Sequence, residues 1–134
     1  MAIHQSAAVL ANNAYKSLGV FVRTFEVPVT TDMIDNADDV IECLPVFAGE
    51  TVLGVQVVAT DLAASALEVG DGAATGRYIA LADGTVGVGG GRVEDTIGVP
   101  YQYAADDTID VNITTAGVTP AAGTLTVTAW YQAA

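Results

Sequence analysis

"DDTIDVNITTAGVTPAAGTLTVTAWYQ", residues 106–132, has the alternation of sheet-forming sequence. From Asp107 to Thr114, Ile109, Val111 and Ile113 fall on one side, with Thr108, Asp110, Asn112 and Thr114 on the other. From Thr124 to Tyr131, Leu125, Val127, Ala129 and Tyr131 alternate in the same way with Thr124, Thr126, Thr128 and Trp130. A period of two with one apolar side is the signature of a strand that lays one face on a core. The stretch reads as two strands folded back on each other across a Gly-Val-Thr-Pro-Ala-Ala-Gly connection. It holds no nucleophile, metal cluster or phosphate loop.

Working outward, "VFVRTFEVPV" (20–29) alternates with Phe21, Arg23, Phe25 and Val27 on one side, and Pro28 places it at a sheet edge. "VIECLPVF" (40–47), the turn "AGE" (48–50) and "TVLGVQVVAT" (51–60) predict a β-hairpin. In its second strand Leu53, Val55, Val57 and Ala59 share one face, and Val52, Gly54, Gln56 and Val58 the other. A short strand follows at Ala66–Val69, ending in a Gly-Asp-Gly turn. "RYIALA", "DG" and "TVGVGG" (77–90) read as strand, tight turn and partner. "GGGRVEDTIG" (89–98) reads as a flexible loop and "VPYQYAA" (99–105) as a strand.

About eight short strands with Gly- or Asp-rich turns, and no long helical periodicity between them, predict an all-β fold. The expected architecture is a two-sheet antiparallel β-sandwich, jelly-roll-like, over residues 20–134. An N-terminal arm at 1–19 precedes it. A chain of 134 residues is one domain's worth and long enough for an ordinary core.

The formal charge of −12 comes from sixteen acids against four bases. There is no basic stripe to neutralise phosphates, so nucleic acid is not an expected partner. An anionic membrane surface is disfavoured by the same sign of charge. The first acid is Glu26, so the beginning of the chain carries Lys16 and Arg23 with no carboxylate. Such asymmetry marks an arm that lies against something acidic. The alternative is a chance deficit in a terminus. Cys43 stands alone in an apolar run, which excludes an internal disulfide and suits a small buried hydrophobe. The first residues lack the basic start and continuous apolar stretch of a secretory leader, so assembly in a reducing cytoplasm is expected.

Candidate chemistry is sparse. The sole histidine, His4, lies where nothing holds it in register for proton transfer, so no acyl-transfer triad is expected. Asp106, Asp107 and Asp110, or Asp38, Asp39 and Glu42, offer paired carboxylates. Both groups fall at strand starts and turns, where aspartate serves the backbone and solvent. Neither has the spacing of a calcium loop. "GVGGGR" (87–92) lacks the Gly-Lys-Ser/Thr ending of a phosphate cradle. No catalytic residue, metal or cofactor is expected. Tyr101, Tyr103, Trp130 and Tyr131 remain, as core or subunit-interface aromatics or as a sugar-stacking platform. Several strands are apolar on both faces, such as Val20 and Val22 opposite Phe21 and Phe25. One covered face per strand suffices for a lone sandwich. The surplus predicts a homo-oligomer.

"ATDLAASALEVGDG" (59–72), "GRYIA" (76–80) and "YAADDTIDVNITTAGVTPAAGTLTVTAWY" (103–131) resemble small structural proteins of tailed bacteriophages, often the head decoration or cement proteins. The resemblance covers about residues 57–131 and lies in strands and turns, not in a catalytic motif. It implies a virion protein that sits as a homotrimer on the outer capsid surface, binds the major capsid protein and bridges capsomers. Under it, Lys16, Arg23 and Phe21 become assembly contacts and Tyr101, Tyr103, Trp130 and Tyr131 interface aromatics. The alternatives are a carbohydrate-binding sandwich of a phage fibre, or a tail or connector component.

Overall fold

The computed structural model describes residues 19–34, 39–63, 66–80, 91–93, 97–114, 119 and 121–134. Among these residues eight strands are formed: β1 Val20–Val29, β2 Ile41–Val46, β3 Thr51–Ala59, β4 Ala66–Gly70, β5 Gly91–Val93, β6 Tyr101–Gln102, β7 Asp107–Thr114 and β8 Gly123–Gln132. A single 3₁₀ turn, Thr31–Met33, follows β1. The larger sheet runs β1-β8-β3-β5, with β6 also on β3, and the smaller runs β2-β7-β4. Every named strand pair is antiparallel. The chain is the two-sheet antiparallel sandwich that its alternation predicts.

The core lies between the sheets. Ile109, Val111 and Ile113 of β7 are buried, as are Leu125, Val127, Ala129 and Tyr131 of β8. Each fully buried Val or Leu side chain contributes roughly 1.5–3 kcal/mol relative to exposure. Ile34, Leu62, Leu67, Val69, Tyr78 and Ile79 extend this core. Cys43 joins it, and burial pushes its thiol up to about 12.

Pairing differs from the sequence reading in two places. The strands of 106–132 do fold back on each other, but across the sandwich. β7 pairs with β2 and β4, whereas β8 pairs with β1 and β3. A long connection can span the ~10 Å between layers, where a two-residue turn would have enforced pairing. The expected hairpin at 40–60 is likewise absent. β2 lies in the smaller sheet and β3 in the larger. The turn between them bonds instead to Tyr103: Gly49 N–H donates to its carbonyl at 2.6 Å, and Tyr103 N–H donates to the Glu50 carbonyl at 2.9 Å. Gly49 sits at φ +87°, a left-handed conformation that glycine adopts without strain.

Three further expectations are corrected. The pairing register of β3 on β8 shifts between Val52 and Gly54. This bulge advances the alternation by one residue, so Val52 is fully buried and Leu53 is 39 % exposed. Gly91–Val93, read as loop, forms β5 on the edge of β3. The strand read at 99–105 shrinks to the two residues of β6. The "DG" turn, its partner strand and the arm lie outside the described residues. As Pro28 suggests, β1 is an edge strand.

Candidate assembly surfaces and the two ion pairs beneath them

Among the described residues two charged side chains, Glu50 and Asp71, are turned inward. Glu50, at the crossover from β2 to β3, is only 6 % exposed. It accepts two hydrogen bonds from the Arg23 guanidinium, at 2.7 and 2.8 Å, and one from the Phe47 N–H at 2.6 Å. Arg23 also donates to the Pro45 carbonyl at 3.0 Å. Its guanidinium lies 4.4–4.9 Å from the ring centres of Phe21, Phe47 and Tyr131. Burial alone would raise the Glu50 pKa, but the bonds from Arg23 and Phe47 outweigh it and hold the carboxyl below its ordinary value. The same hydrogen bonding to Glu50 raises Arg23. The pair ties the edge strand β1 to the crossover turn.

A second knot lies just past the end of β4. Asp71 is 1 % exposed. Its carboxylate accepts from Arg77 Nε at 2.6 Å and from the Tyr103 hydroxyl at 2.7 Å. The Ala73 and Ala74 N–H groups donate to its other oxygen at 3.0 and 2.9 Å. Since Tyr103 spends its proton on Asp71, Tyr78 donates to Tyr103 across 2.5 Å. Arg77 stacks on Tyr101 at 3.7 Å, and Tyr101 meets Tyr103 edge-on at 4.9 Å. Burial opposes the charge on Asp71, yet Arg77 and Tyr103 outweigh it and lower its pKa. Burial raises both Tyr78 and Tyr103.

These arrangements are built to stay put. Both buried carboxylates are ionised and fully hydrogen-bonded, so neither is poised to take or give a proton. Among the described residues no cluster of three or more His, Cys, Asp or Glu side chains is placed to hold a metal ion. A cleft of about 300 Å³ is lined by Gly49, Gln102, Tyr103 and Ala104. Its one ionisable side chain, Tyr103, is already engaged with Asp71.

The residues singled out from sequence are distributed unevenly. Tyr131 and Tyr103 are core residues, 0 % and 5 % exposed, so no sugar can stack on them. Tyr101 is half-buried under Arg77, and Phe21 stacks on Tyr131 at 5.3 Å between ring centres. Arg23 has its charge met inside the chain by Glu50. Lys16 lies outside the described residues. Trp130 is 39 % exposed, on the opposite face from Tyr131. Asp71 and Arg77 were missed. The available signal was arithmetic: bases are scarce here, and a scarce base beside a Gly-Asp-Gly turn has an obvious partner.

The two outer faces carry different chemistry. On the smaller sheet Glu42 of β2 stands opposite Asp110 of β7, and Glu68 of β4 opposite Asn112. Desolvation, and after it the neighbouring charges of Glu42 and Asp107, raise the Asp110 pKa despite a bond from Thr108. On the larger sheet Val22, Trp130 and Gly54 form one row across β1, β8 and β3. The next row is Thr24, Thr128 and Gln56, with Thr24 Oγ1 bonded to Thr128 Oγ1 at 3.0 Å. Val20, Leu53 and Val58 are also 37–41 % exposed.

No family model matches the sequence, and no curated protein matches it. The fold is similar to chains in solved phage particles. One belongs to the capsid asymmetric unit of cyanophage Pam1, with TM-score 0.68, 20 % identity and coverage of 87 % of this chain and 86 % of that one. Another belongs to the capsid of Ralstonia phage GP4, with TM-score 0.67, 20 % identity and coverage of 86 % and 84 %. A third, in an acid-stable capsid of Helicobacter pylori bacteriophage KHP30, has TM-score 0.56 at 10 % identity, covering 84 % and 86 %.

Proposed function

We propose that this chain is a virion structural protein that binds the outer surface of a phage capsid and bridges neighbouring capsomers. The observation that carries this reading is the near end-to-end fold likeness to chains of phage capsids, over 86–87 % of this chain in two cases. The absence of any poised acid, base or nucleophile at Glu50 and Asp71 supports it from the other side. Partners under this reading are the major capsid protein and further copies of the chain, arranged as a trimer. Residues 1–18, acid-free and bearing Lys16, reach toward an acidic neighbour. A small domain held by several weak contacts gains affinity because each added contact is effectively intramolecular. Rigid internal ion pairs suit that role, since a brace transmits load only if its own elements are tied together.

The test is a pelleting titration of the full chain against undecorated shells. Saturable uptake at a fixed ratio to shell subunits supports decoration. A chain that stays in the supernatant at every ratio refutes it. A glycan-binding role is disfavoured because Tyr103 and Tyr131 are core residues and Tyr101 is covered by Arg77. A saccharide-dependent change in Trp130 emission would restore that role.

A further inference from the structure

We propose that the outer face of the larger sheet, centred on Trp130 and Val22, is the surface through which copies of this chain meet one another. This rests on the self-association in the reading above and names where it occurs.

The first observation is shape. Trp130 faces Gly54 across β3, where a side chain would lie 3.6 Å from the indole Cε3. That is ordinary van der Waals contact, so the indole lies against the backbone of β3 at Gly54. Val22, on the other side, is 51 % exposed, and Val20 and Leu53 border the same patch. Apolar side chains brought together on an outer face are the composition of an interface core.

The second observation is charge, and it selects the occupant. Each copy carries −12, so two copies repel unless they meet where acids are absent. Across β1, β8 and β3 the outward positions hold one acid, Glu26, at the end away from Trp130, and β5 adds the basic Arg92 in the same row. The smaller sheet offers Glu42, Asp110 and Glu68 and no base. A second copy therefore finds its lowest electrostatic cost on the larger sheet.

The third observation is extent. The nine and ten residues of β3, β1 and β8, at ~3.3 Å per residue and ~4.8 Å between strands, give a tile of about 30 by 15 Å. That is the small end for a specific contact, so the association is concentration-dependent. Beyond the tile, β1 is an edge strand among the described residues. Its only base is engaged by Glu50 and does not blunt that edge.

The experiment is light scattering of the full chain over a range of concentrations, with Trp130 emission recorded in parallel. The chain has one tryptophan, so its emission reports this face alone. The expected result is a mass that rises with concentration together with a blue shift of emission. Added salt strengthens the association by screening like charges. Val22→Lys and Trp130→Lys weaken it at least ten-fold. Thr75→Lys, adding the same charge at an exposed turn elsewhere, leaves it unchanged. Equal thermal midpoints across the variants exclude misfolding. A mass that rises without an emission shift, or that Val22→Lys leaves untouched, places the contact on another face and overturns this inference while leaving the decoration reading intact. Weakening by salt overturns it equally. A monomer at every concentration refutes the inference and self-association together. If shell uptake in that monomer is abolished by Trp130→Lys, the face belongs to the shell protein instead.

Discussion

At the scale of single residues, two arginines account for much of the chain's internal order. Arg23 and Arg77 each meet a nearly buried carboxylate and then cover an aromatic ring. Removing one partner of such a pair is costly because the other is left charged and desolvated. Asp71→Ala strands Arg77, unpairs the Tyr103 hydroxyl and frees two backbone N–H groups. It is expected to cost about 3 kcal/mol and to lower the thermal midpoint by about 10 °C, read by calorimetry. The same groups fix the acid limb of stability. Glu50 and Asp71 both have depressed pKa values in the folded chain, so the unfolded state binds protons more readily. Their contribution is complete above the ordinary carboxylate pKa of about 4 and is lost as pH falls through the lower folded values. Asp110 works in the opposite sense, since its raised pKa means that acidification relieves a cost present at neutral pH. Denaturant midpoints measured from pH 8 to pH 3 are expected to stay level to about pH 5 and to fall below pH 4. The Asp71→Asn variant is expected to show a shallower fall than the parent. An equally steep fall in that variant would remove Asp71 from the explanation.

At the scale of elements, the strands were legible and their partners were not. Alternation at Ile109–Ile113 and Leu125–Tyr131 reports which side of each strand is buried, and those sides are the buried ones. Alternation carries no information about which sheet a strand joins. That is decided by the length and bonding of connections, as at Gly49 and Glu50, where Tyr103 captures the turn. The bulge at Leu53 was illegible for a related reason: it is set by β8 opposite, not by the local pattern. It can be tested directly. Val52→Thr, which buries a hydroxyl in the core, is expected to cost about 2 kcal/mol. Leu53→Thr, on the outer side of the bulge, is expected to stay within about 0.5 kcal/mol. Chemical denaturation of both variants reads the difference, and equal costs would contradict the shifted phase. The ion pairs were hidden because Glu50 and Asp71 sit in turns, where a carboxylate ordinarily serves solvent and backbone.

At the scale of the whole molecule, the sandwich has an acidic outer face and a nearly neutral apolar one, joined by a core braced by two ion pairs that both adjoin Tyr103. Such a body is suited to being pressed between neighbours. Its fold is shared, over most of its length, with chains in three phage capsids. The sequence resemblance rests on strand and turn composition, and the fold likeness rests on backbone geometry. The account is tested most directly by electron cryomicroscopy of undecorated shells imaged before and after saturation with the purified chain. The expected difference is added density that fits this sandwich, outside the shell and spanning the junctions between its subunits. Shells whose outer surface is unchanged at saturating concentration would contradict the account.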